Sequence, residues 1–323
     1  MASVLDSALD AMIVPGFSRI GFAVRSRSFD AIDGAALVGK TIVLTGHTSG
    51  IGFAAAMQMR ALGADLVLVG RDASRSAQAA RCIEDASGSG RVTTLVADMG
   101  DLDQVGQLAL AITSHFERID VVVHNAGALL KVRERTLQGH DTTIAVHVLG
   151  PFLLTHSLLA PLAASGGRVI TVASGGMYAA GLPAFVKGHD LELPDAKYDG
   201  TRQYAIAKRA QVTLNEMWAV NPAAHGVGFH TMHPGWADTP GVSSSIPVFR
   251  AVTKPILRTP DQAADTVTWL AATDAQRLGT GGFWCDRERR PIHRLASTRR
   301  SDTKPARDEL WKRVEGAALG SGA

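Results

Sequence analysis

The chain has 323 residues, of which 46% are hydrophobic and 20% charged, and its formal net charge is +3. This composition is typical of a folded globular protein, and no stretch is as long and uncharged as a transmembrane helix requires. Cys82 and Cys285 are too few for a disulfide framework and lack the paired spacing of a metal site, so the sequence predicts a reducing, cytoplasmic setting and no metal.

Residues 1–39 are a predicted N-terminal arm. The stretch AMIVPGFSRIGFAVRSRSF interrupts its apolar residues with Pro15, Gly16 and Arg19, and it lacks the cleavage site of a secretory signal. Two interpretations stay open at this point. The arm either packs on the protein body or lies as an amphipathic segment on a membrane surface.

Residues 40–290 alternate short apolar runs with helical patterns. Most of the runs are continuous, which is typical of strands buried on both faces of a parallel sheet. The sequence therefore predicts one doubly wound α/β domain over 40–290, a three-layer Rossmann fold with about seven strands. The strand segments are TIVLTG, ADLVLVG, RVTTLVAD, IDVVVHNAG, GRVITVAS, GVGFHTMHPG and GTGGFWCD.

A glycine-rich turn, TGHTSGIG, joins the first strand to a helix. Glycines permit a tight turn and let a pyrophosphate approach the amides at the start of the helix. The position after a first strand makes this a dinucleotide-binding signature. The predicted cofactor contacts here are Gly46, Ser49, Gly50, Ile51 and Gly52.

The second strand is followed by Arg71, with Arg75 one helical turn further along. A guanidinium at this place matches the 2′-phosphate of NADP(H), whereas NAD(H) enzymes commonly carry an acid there. Asp65 lies at the opposite end of the strand. Asp72 either caps the next helix or offers a carboxylate that would favour NAD(H), so the sequence predicts NADP(H) in preference to NAD(H).

The stretch QYAIAKRAQ places Tyr204 four residues before Lys208, on one face of a predicted helix. The ammonium can stabilise the phenolate and bring the pKa of the tyrosine toward neutrality, which makes Tyr204 a candidate acid and base. Ser174, at the end of a strand, can hydrogen-bond a substrate carbonyl oxygen. Tyr178 and Tyr198 have no lysine four residues later.

Five motifs in order, TGHTSGIG, HNAG, VASGGMY, YAIAK and HPGWADT, resemble the classical short-chain dehydrogenase/reductase family over about residues 40–286. The arm sequence SRIGFAV and the stretches QYAIAKRAQVTLNEMWA and HTMHPGWADTPGV are similar to its dehydrogenase/reductase member 12-like subgroup. The resemblance implies that Lys208 also holds the nicotinamide ribose beside Tyr204. Further cofactor contacts that it implies are Asp98, Met99, Asn125, Ala126, Gly127, Pro234, Gly235 and Thr239.

One position departs from the family pattern. Within IAVHVLGPFLLT this chain has His147 where the subgroup usually carries asparagine, the fourth catalytic member. A neutral histidine offers one donor and one acceptor and can take that place. It can equally slow turnover, leave a protein that binds nucleotide without reducing anything, or serve only in packing.

Two loops are rich in apolar residues or longer than the fold needs, PAFVKGHDLELPDAKYDG and PGVSSSIPVFRAVTKPILRTP. Such loops can close over a lipophilic ketone, aldehyde or alcohol, or pack against a helix or another subunit. The helix FLLTHSLLAPLAAS is a candidate interface for a homo-oligomer.

Residues 291–323 are a predicted basic tail, either disordered or docked as the helix RDELWKRVEGAAL. The basic surplus around DRERRPIHRLASTRRSDTKPAR is expected to be solvated, and nothing in it indicates nucleic-acid binding. The sequence thus predicts an NADP(H)-dependent oxidoreductase with Tyr204, Lys208, Ser174 and His147 as catalytic residues. The alternative is a nucleotide-binding regulator or scaffold with little or no turnover.

Overall fold

The computed structural model describes Asp6, Leu9 and residues 12–86, 88–183, 191–238 and 253–320. Its centre is one sheet with the strand order β3-β2-β1-β4-β5-β6-β7-β8. All neighbours pair in parallel except β7 and β8, which are antiparallel. The strands are β1 Thr41–Thr45, β2 Asp65–Gly70, β3 Val92–Val96, β4 Val121–His124, β5 Arg168–Val172, β6 Gly228–Met232, β7 Gly282–Cys285 and β8 Glu288–Arg289.

Helices cover both faces of the sheet, which gives the predicted three layers. The helices before β4 are α1 Ile13–Phe17, α2 Arg19–Arg25, α3 Gly50–Ala61, α4 Ala73–Glu84 and α5 Leu102–His115. Those after β4 are α6 Thr142–Ile144, α7 Gly150–Ser157, α8 Leu159–Ser165, α9 Gly200–Trp218, α10 Pro260–Ala272, α11 Ala275–Leu278, α12 Ala296–Ser301 and α13 Lys304–Leu319.

The seven predicted strands are confirmed, and their burial explains why the pattern was readable. Strands β1, β4 and β5 are almost wholly buried because helices cover both of their faces. The eighth strand was not predicted, since β8 is two exposed charged residues that pair with the end of β7.

The helix predicted after the fourth strand is broken. A π-helical segment, Ala145–Leu149, separates α6 from α7, and α7 meets α8 at a bend of 60°. Pro161 supplies a reason for the bend, because its ring has no N–H and would clash with the carbonyl of Ser157 in a straight helix. No single helix in the described ranges is long and apolar enough to cross a membrane, although this bent pair passes that test together.

The arm and the tail both pack on the sheet domain. Phe17 of α1 is buried beside β6 and the turn after β5, and Leu310 and Val314 of α13 are completely buried in the main core cluster. The expectation of a solvated basic stretch is wrong for two of its arginines. The side chains of Arg287 and Arg290 are only 12% and 6% exposed, because they pair with Asp265 and Asp6.

Candidate active site

Four neighbouring strands deliver the predicted site residues to one edge of the sheet. The glycine turn follows β1, Asn125 follows β4, Ser174 lies just after β5, and Pro234 lies just after β6. Because these strands are parallel, their carboxyl ends share one edge. The strand order reverses between β1 and β4, and doubly wound folds bind nucleotides at such a crevice.

The glycine turn is packed so tightly that side chains cannot enter it. Gly46 has a φ of +75°, and a Cβ on it would lie 2.7 Å from the Ala126 Cα. A Cβ on Gly52 would lie 2.2 Å from the Gly46 carbonyl oxygen and 2.3 Å from the Asn125 amide nitrogen. Both positions therefore require glycine, and the backbone surface that results can approach a phosphate closely.

Asn125 and Thr45 hold this turn against β4. The side-chain amide of Asn125 donates to the carbonyl oxygens of Thr45 and Gly46, both at 3.0 Å. The Thr45 hydroxyl accepts from the backbone N–H groups of Asn125 and Ala126. Ser49 stands at the start of α3, but its side chain makes no capping hydrogen bond, so the first amides of α3 have no side-chain cap. This arrangement fits a pyrophosphate at the helix N-terminus.

His47 is a site residue that sequence reasoning missed. It is completely buried, and its Nδ1 lies 3.2 Å from the Val69 carbonyl oxygen and its Nε2 3.4 Å from that of Ser76. Burial lowers its pKa, and hydrogen bonds to the two carbonyls only partly oppose this. The ring thus connects the glycine turn to the end of β2. The only available signal was its place inside TGHTSGIG.

The end of β2 presents two exposed arginines, Arg71 and Arg75. Asp72 caps α4, because its carboxylate accepts a hydrogen bond of 2.9 Å from the Arg75 amide. The capping alternative for Asp72 is therefore confirmed. The carboxylate is engaged at the helix start, while both guanidinium groups lie at the surface.

Asp98 and Met99 lie in the turn after β3. One Asp98 carboxylate oxygen accepts from the Gly100 amide at 2.8 Å, and the Asp98 amide donates to the Gln104 side chain. Met99 is buried in the core beneath this turn. These contacts make the turn rigid at the sheet edge where a cofactor adenine is predicted.

Ser174, Tyr204 and Lys208 come together at the end of β5. Tyr204 and Lys208 lie one turn apart on α9, and the Lys208 Nζ is 5.4 Å from the centre of the Tyr204 ring. Lys208 donates to the carbonyl oxygen of Val172, the last residue of β5, at 2.8 Å. Ser174 and Tyr204 are joined by a side-chain hydrogen bond. The three predicted catalytic groups therefore form one cluster.

The titration of this cluster differs from the prediction. Burial raises the pKa of the Tyr204 phenol, and the hydrogen bond with Ser174 only partly opposes this. Burial also lowers the pKa of Lys208 from its ordinary 10.5 to about 7. The expectation of a tyrosine pKa near neutrality is wrong for the protein without ligand, because removing each charge from water outweighs their mutual attraction.

His147 lies in the π segment, with its ring against Tyr204. The two ring centres are 5.3 Å apart in an edge-to-face arrangement, and His147 Nε2 lies 2.9 Å from the Ala128 carbonyl oxygen. A Cβ on Gly127 would lie 2.2 Å from the His147 ring, so the glycine of HNAG makes room for this histidine. Burial, with a smaller contribution from the Lys208 charge, holds the pKa of His147 well below its usual value, so the ring is neutral.

Gln211, a second residue that the sequence did not single out, holds the backbone of this segment. Its side-chain amide donates to the His147 carbonyl oxygen at 2.7 Å. Gln211 follows Lys208 by three residues, so the polar face of α9 continues inward from the reaction centre. It ends at a cavity of about 30 Å³, where the side-chain amide of Asn215 has no hydrogen-bond partner among the described residues.

Pro234 and Gly235 form the turn after β6. Gly235 has a φ of +77°, and a Cβ there would lie 2.2 Å from the Arg258 Nε. Arg258 is buried, donates to the Pro234 carbonyl oxygen at 3.3 Å and pairs with Asp286. The turn is therefore fixed from behind by a charged side chain. Thr239, the last predicted cofactor contact, lies outside the described residues.

Comparison with known proteins identifies the family. The short chain dehydrogenase model matches residues 40–185. Dehydrogenase/reductase SDR family member 12 of Homo sapiens is 36% identical over 84% of this chain and 83% of its own length. The chain belongs to the short-chain dehydrogenase/reductase family. The predicted resemblance, including its closeness to member 12, is thereby confirmed.

Two further relatives of this short-chain dehydrogenase/reductase extend the comparison. Retinol dehydrogenase 13 of Homo sapiens is 28% identical over 74% of each chain. A solved structure from Beutenbergia cavernae, assigned as an NAD(P)-dependent gluconate 5-dehydrogenase and holding NADP at low occupancy, matches with a TM-score of 0.63 and 26% identity. That match covers 78% of this chain and 97% of the other. The Rossmann fold is confirmed, and the chain is an oxidoreductase by family.

Proposed function

We propose that this oxidoreductase uses NADP(H) to transfer a hydride between nicotinamide and a lipophilic ketone, aldehyde or alcohol. The observation that carries the proposal is the cluster of Ser174, Tyr204 and Lys208 at the end of β5. It lies on the same sheet edge as the glycine turn, whose backbone has the close packing that a pyrophosphate site needs. When bound, the nicotinamide supplies or accepts the hydride.

The residues that would hold the dinucleotide surround this edge. The glycine turn would hold the pyrophosphate, the turn after β3 would hold the adenine, and the turn after β6 would hold the nicotinamide. Lys208 and Tyr204 would bind the nicotinamide ribose. The full proposed set is Gly46, Ser49, Gly50, Ile51, Gly52, Arg71, Asp98, Met99, Asn125, Ala126, Gly127, Tyr204, Lys208, Pro234 and Gly235, with Thr239 from the sequence alone.

Tyr204 acts as the proton donor in carbonyl reduction. Its raised pKa keeps the phenol protonated at neutral pH, so it can give a proton to the carbonyl oxygen. Ser174 hydrogen-bonds the same oxygen and fixes its position. Lys208 is the counter-charge of the resulting phenolate, because its pKa of about 7 allows the ammonium form at neutral pH and the adjacent negative charge favours it. His147 packs against the Tyr204 ring in the place of the family asparagine.

A hydride-transfer assay with Tyr204→Phe tests this role. We expect the rate of NADPH oxidation by a reducible carbonyl to fall by a factor on the order of 10² to 10⁴, since a general acid is lost. Tyr198→Phe, which removes the hydroxyl of a tyrosine outside the cluster, should leave the rate unchanged. Equal rates for wild type and Tyr204→Phe would remove Tyr204 from the mechanism.

The alternative is a nucleotide-binding regulator or scaffold with little or no turnover. His147 favours it, because the subgroup usually carries asparagine at this position. The same assay separates the two functions. Tight NADPH binding by the wild type without oxidation by any carbonyl in a broad panel would favour the regulator.

The preference for NADP(H) rests on Arg71 and Arg75, which are exposed where β2 ends, and on Asp72 being engaged as a helix cap. We expect Arg71→Ala to raise the KM for NADPH about 10- to 100-fold, since a charged hydrogen bond contributes about 1.5–3 kcal/mol. The KM for NADH should change little. Arg81→Ala, at the far end of α4, is the matched control, and equal effects on both cofactors would contradict the assignment.

The lipophilic character of the substrate is supported by the loop sequences and by the similarity to a retinol dehydrogenase. Residues 184–190 and 239–252 of the two loops lie outside the described residues. A series of ketones of increasing chain length provides the measurement. A kcat/KM that rises with chain length supports a lipophilic site, and a flat or falling series contradicts it.

We also propose that the N-terminal arm makes peripheral contact with membranes. Its outer side exposes Met12, Val14 and Ile20, each about half accessible to solvent, beside exposed Arg19 and Arg27. Apolar and basic residues together suit the interface of an anionic bilayer. Cosedimentation with phosphatidylserine vesicles should weaken in the variant Val14→Asp/Ile20→Asp, and binding that is equal to wild type would rule the arm out. If the arm does not bind membranes, the predicted location of the protein is the cytoplasm.

A homo-oligomer built on α7 would need an open face on that helix. Trp311 of α13 packs on Phe152 of α7 at 5.1 Å and on Trp218 of α9 at 4.6 Å, between ring centres. The tail helix therefore covers this face. We propose that a homo-oligomer does not use this side of α7; the exposed residues of α8 belong to the same predicted helix and stay available.

A further inference from the structure

The N-terminal arm reaches the reaction centre through Phe17, the last residue of α1. Phe17 is buried, and its ring meets that of His233 edge to face with 4.3 Å between the centres. The same ring stacks on Tyr178 at 6.2 Å, and the Phe17 carbonyl oxygen accepts from the Trp236 amide at 2.7 Å. An apolar side chain of the arm is thus inserted between the turns after β5 and β6.

The turn after β5 carries Ser174, and Phe17 lies against the next residue. A Cβ on Gly175 would lie 3.1 Å from Cε2 of the Phe17 ring and 3.0 Å from the His233 Nε2. Ser174 begins the short 3-10 turn Gly175–Ala179, and its hydroxyl accepts from the Gly176 amide at 3.2 Å. The orientation of this serine therefore depends on a turn whose back is closed by Phe17.

The turn after β6 is supported by the same ring through His233. The His233 Nδ1 accepts from the Gly235 amide at 3.3 Å, so this histidine holds the Pro234–Gly235 turn. Only 5% of the surface of Phe17 is exposed. Its effect on the site is therefore carried by the two turns that it contacts.

A buried ion cluster fixes the arm in this place. Arg25 of α2 donates to Asp286 at 2.7 Å, to Asp6 at 2.6 Å and to the Gly16 carbonyl oxygen at 2.9 Å. Arg258 binds both carboxylate oxygens of Asp286 and also donates to the carbonyl oxygen of Gly16. The arm and the turn after β6 therefore share one carboxylate.

We propose that Phe17 is a positioning residue of the active site, which holds Ser174 and the Pro234–Gly235 turn in the geometry for hydride transfer. The inference rests on the proposed function, because it assigns a role in that reaction. It makes residues of the arm part of the catalytic apparatus, although they precede the nucleotide-binding domain in the sequence. The inner side of the arm then carries Phe17, which positions the two turns, and its outer side is exposed to solvent.

The test compares Phe17→Ala, Phe17→Leu and the matched arm variant Phe29→Ala in the full chain. Phe29 packs on Phe22 at 5.9 Å and beneath Arg287, and it meets neither turn. We expect Phe17→Ala to lower kcat about 10- to 100-fold, as small displacements of reacting groups do, with a much smaller change in the Kd for NADPH. Phe17→Leu should restore most of the rate, and Phe29→Ala should keep it.

Unchanged kcat in folded Phe17→Ala, or an equal loss in Phe29→Ala, would overturn the proposal. Hydrogen exchange gives a second readout that needs no turnover, and Phe17→Val replaces Phe17→Ala in both measurements if the alanine variant proves too unstable. Peptides over residues 173–179 and 233–238 should exchange faster in the alanine or valine variant and close to the wild-type rate in Phe17→Leu, with β1 and β4 unchanged. Unaltered exchange there would equally overturn it. Absence of turnover in the wild type, by contrast, would contradict the proposed function and leave the exchange result to decide the placement of Phe17.

Discussion

Burial disfavours the charged forms of both Tyr204 and Lys208. The pKa of the phenol is raised and that of the amine is lowered to about 7, so neither charge is strongly favoured at neutral pH in the protein without ligand. A dinucleotide that brings negative phosphates would change this balance in favour of the ammonium. Lys208 is therefore only partly protonated near neutral pH in the protein without ligand, while Tyr204 stays protonated and neutral.

The lowered pKa of Lys208 makes stability depend on pH. Between about 7 and 10.5 the unfolded chain holds a proton on this lysine that the folded chain has released, so the free energy of unfolding rises with pH across this window. The slope is at most about 1.4 kcal/mol per pH unit. Urea unfolding of the ligand-free protein should show this rise, and Lys208→Met should remove it.

Lys312→Met, on the exposed side of α13, is the control for this measurement and should keep the wild-type slope. The same pH dependence in wild type and Lys208→Met would show that Lys208 keeps its proton in the folded protein.

Among elements, the arm, the turn after β6 and the end of β7 are joined by Asp286. This residue is 1% exposed and has a φ of 54°, so its backbone conformation is the left-handed one. Burial alone would raise its pKa, but the Arg258 and Arg25 guanidinium groups hold the pKa below its ordinary value. The stabilisation is thus present above the ordinary carboxyl pKa of 3.8 and is lost as the pH falls through the lowered value.

We predict that Asp286→Asn destabilises the protein by about 3–5 kcal/mol, because it leaves the buried Arg258 guanidinium without its paired carboxylate and leaves Arg25 with Asp6 alone. Asparagine tolerates the left-handed conformation, so the change tests the charge and not the backbone. Urea unfolding at neutral pH provides the measurement. Asp30→Asn, which breaks the exposed arm pair with Arg277, should cost about 1 kcal/mol or less. Similar losses in both variants would contradict a special role for the buried cluster.

At the scale of the whole molecule, the tail helix belongs to the same core as the sheet domain. Leu310 and Val314 are completely buried, and Trp311 joins the aromatic cluster of Phe152, Trp218 and Phe229. Residues 291–323, which the sequence set apart as a tail, therefore contribute a helix to the main apolar cluster. The tail and the domain should unfold together.

We predict that Leu310→Ala lowers the free energy of unfolding by about 2–5 kcal/mol, the range for truncating a buried leucine. Tryptophan fluorescence and far-UV circular dichroism should report one coincident transition before and after the change. Leu295→Ala removes a leucine that is 53% exposed and should have a small effect. A separate early transition that alone responds to Leu310→Ala would mean that the tail unfolds independently.

Local patterns were enough to predict the sheet and much of the candidate site. Short stretches of sequence were enough to predict seven strands, the glycine turn, the Asp72 cap and the cluster of Ser174 with Tyr204 and Lys208. The signals used were the hydrophobic period, the position of glycines and the i,i+4 spacing, and each of them acts within one element. The break at Leu158 was not predicted, although Pro161 was visible. The apolar helical pattern continues on both sides of this proline, so the sequence was interpreted as one unbroken helix.

The sequence by itself determined the fold class, the family and the set of groups available for chemistry. Only the tertiary structure decided how those groups titrate and what holds them, since burial and contacts between distant residues leave no local pattern. Phe17 meets His233, Arg25 meets Asp286, and Gln211 meets the His147 carbonyl across 64 or more positions of chain. The sequence around Asp286 is the same whether its charged side chains are exposed to water or buried in ion pairs with arginine. Burial removes these charges from water only after folding, so the sequence alone does not distinguish an exposed from a buried charged segment.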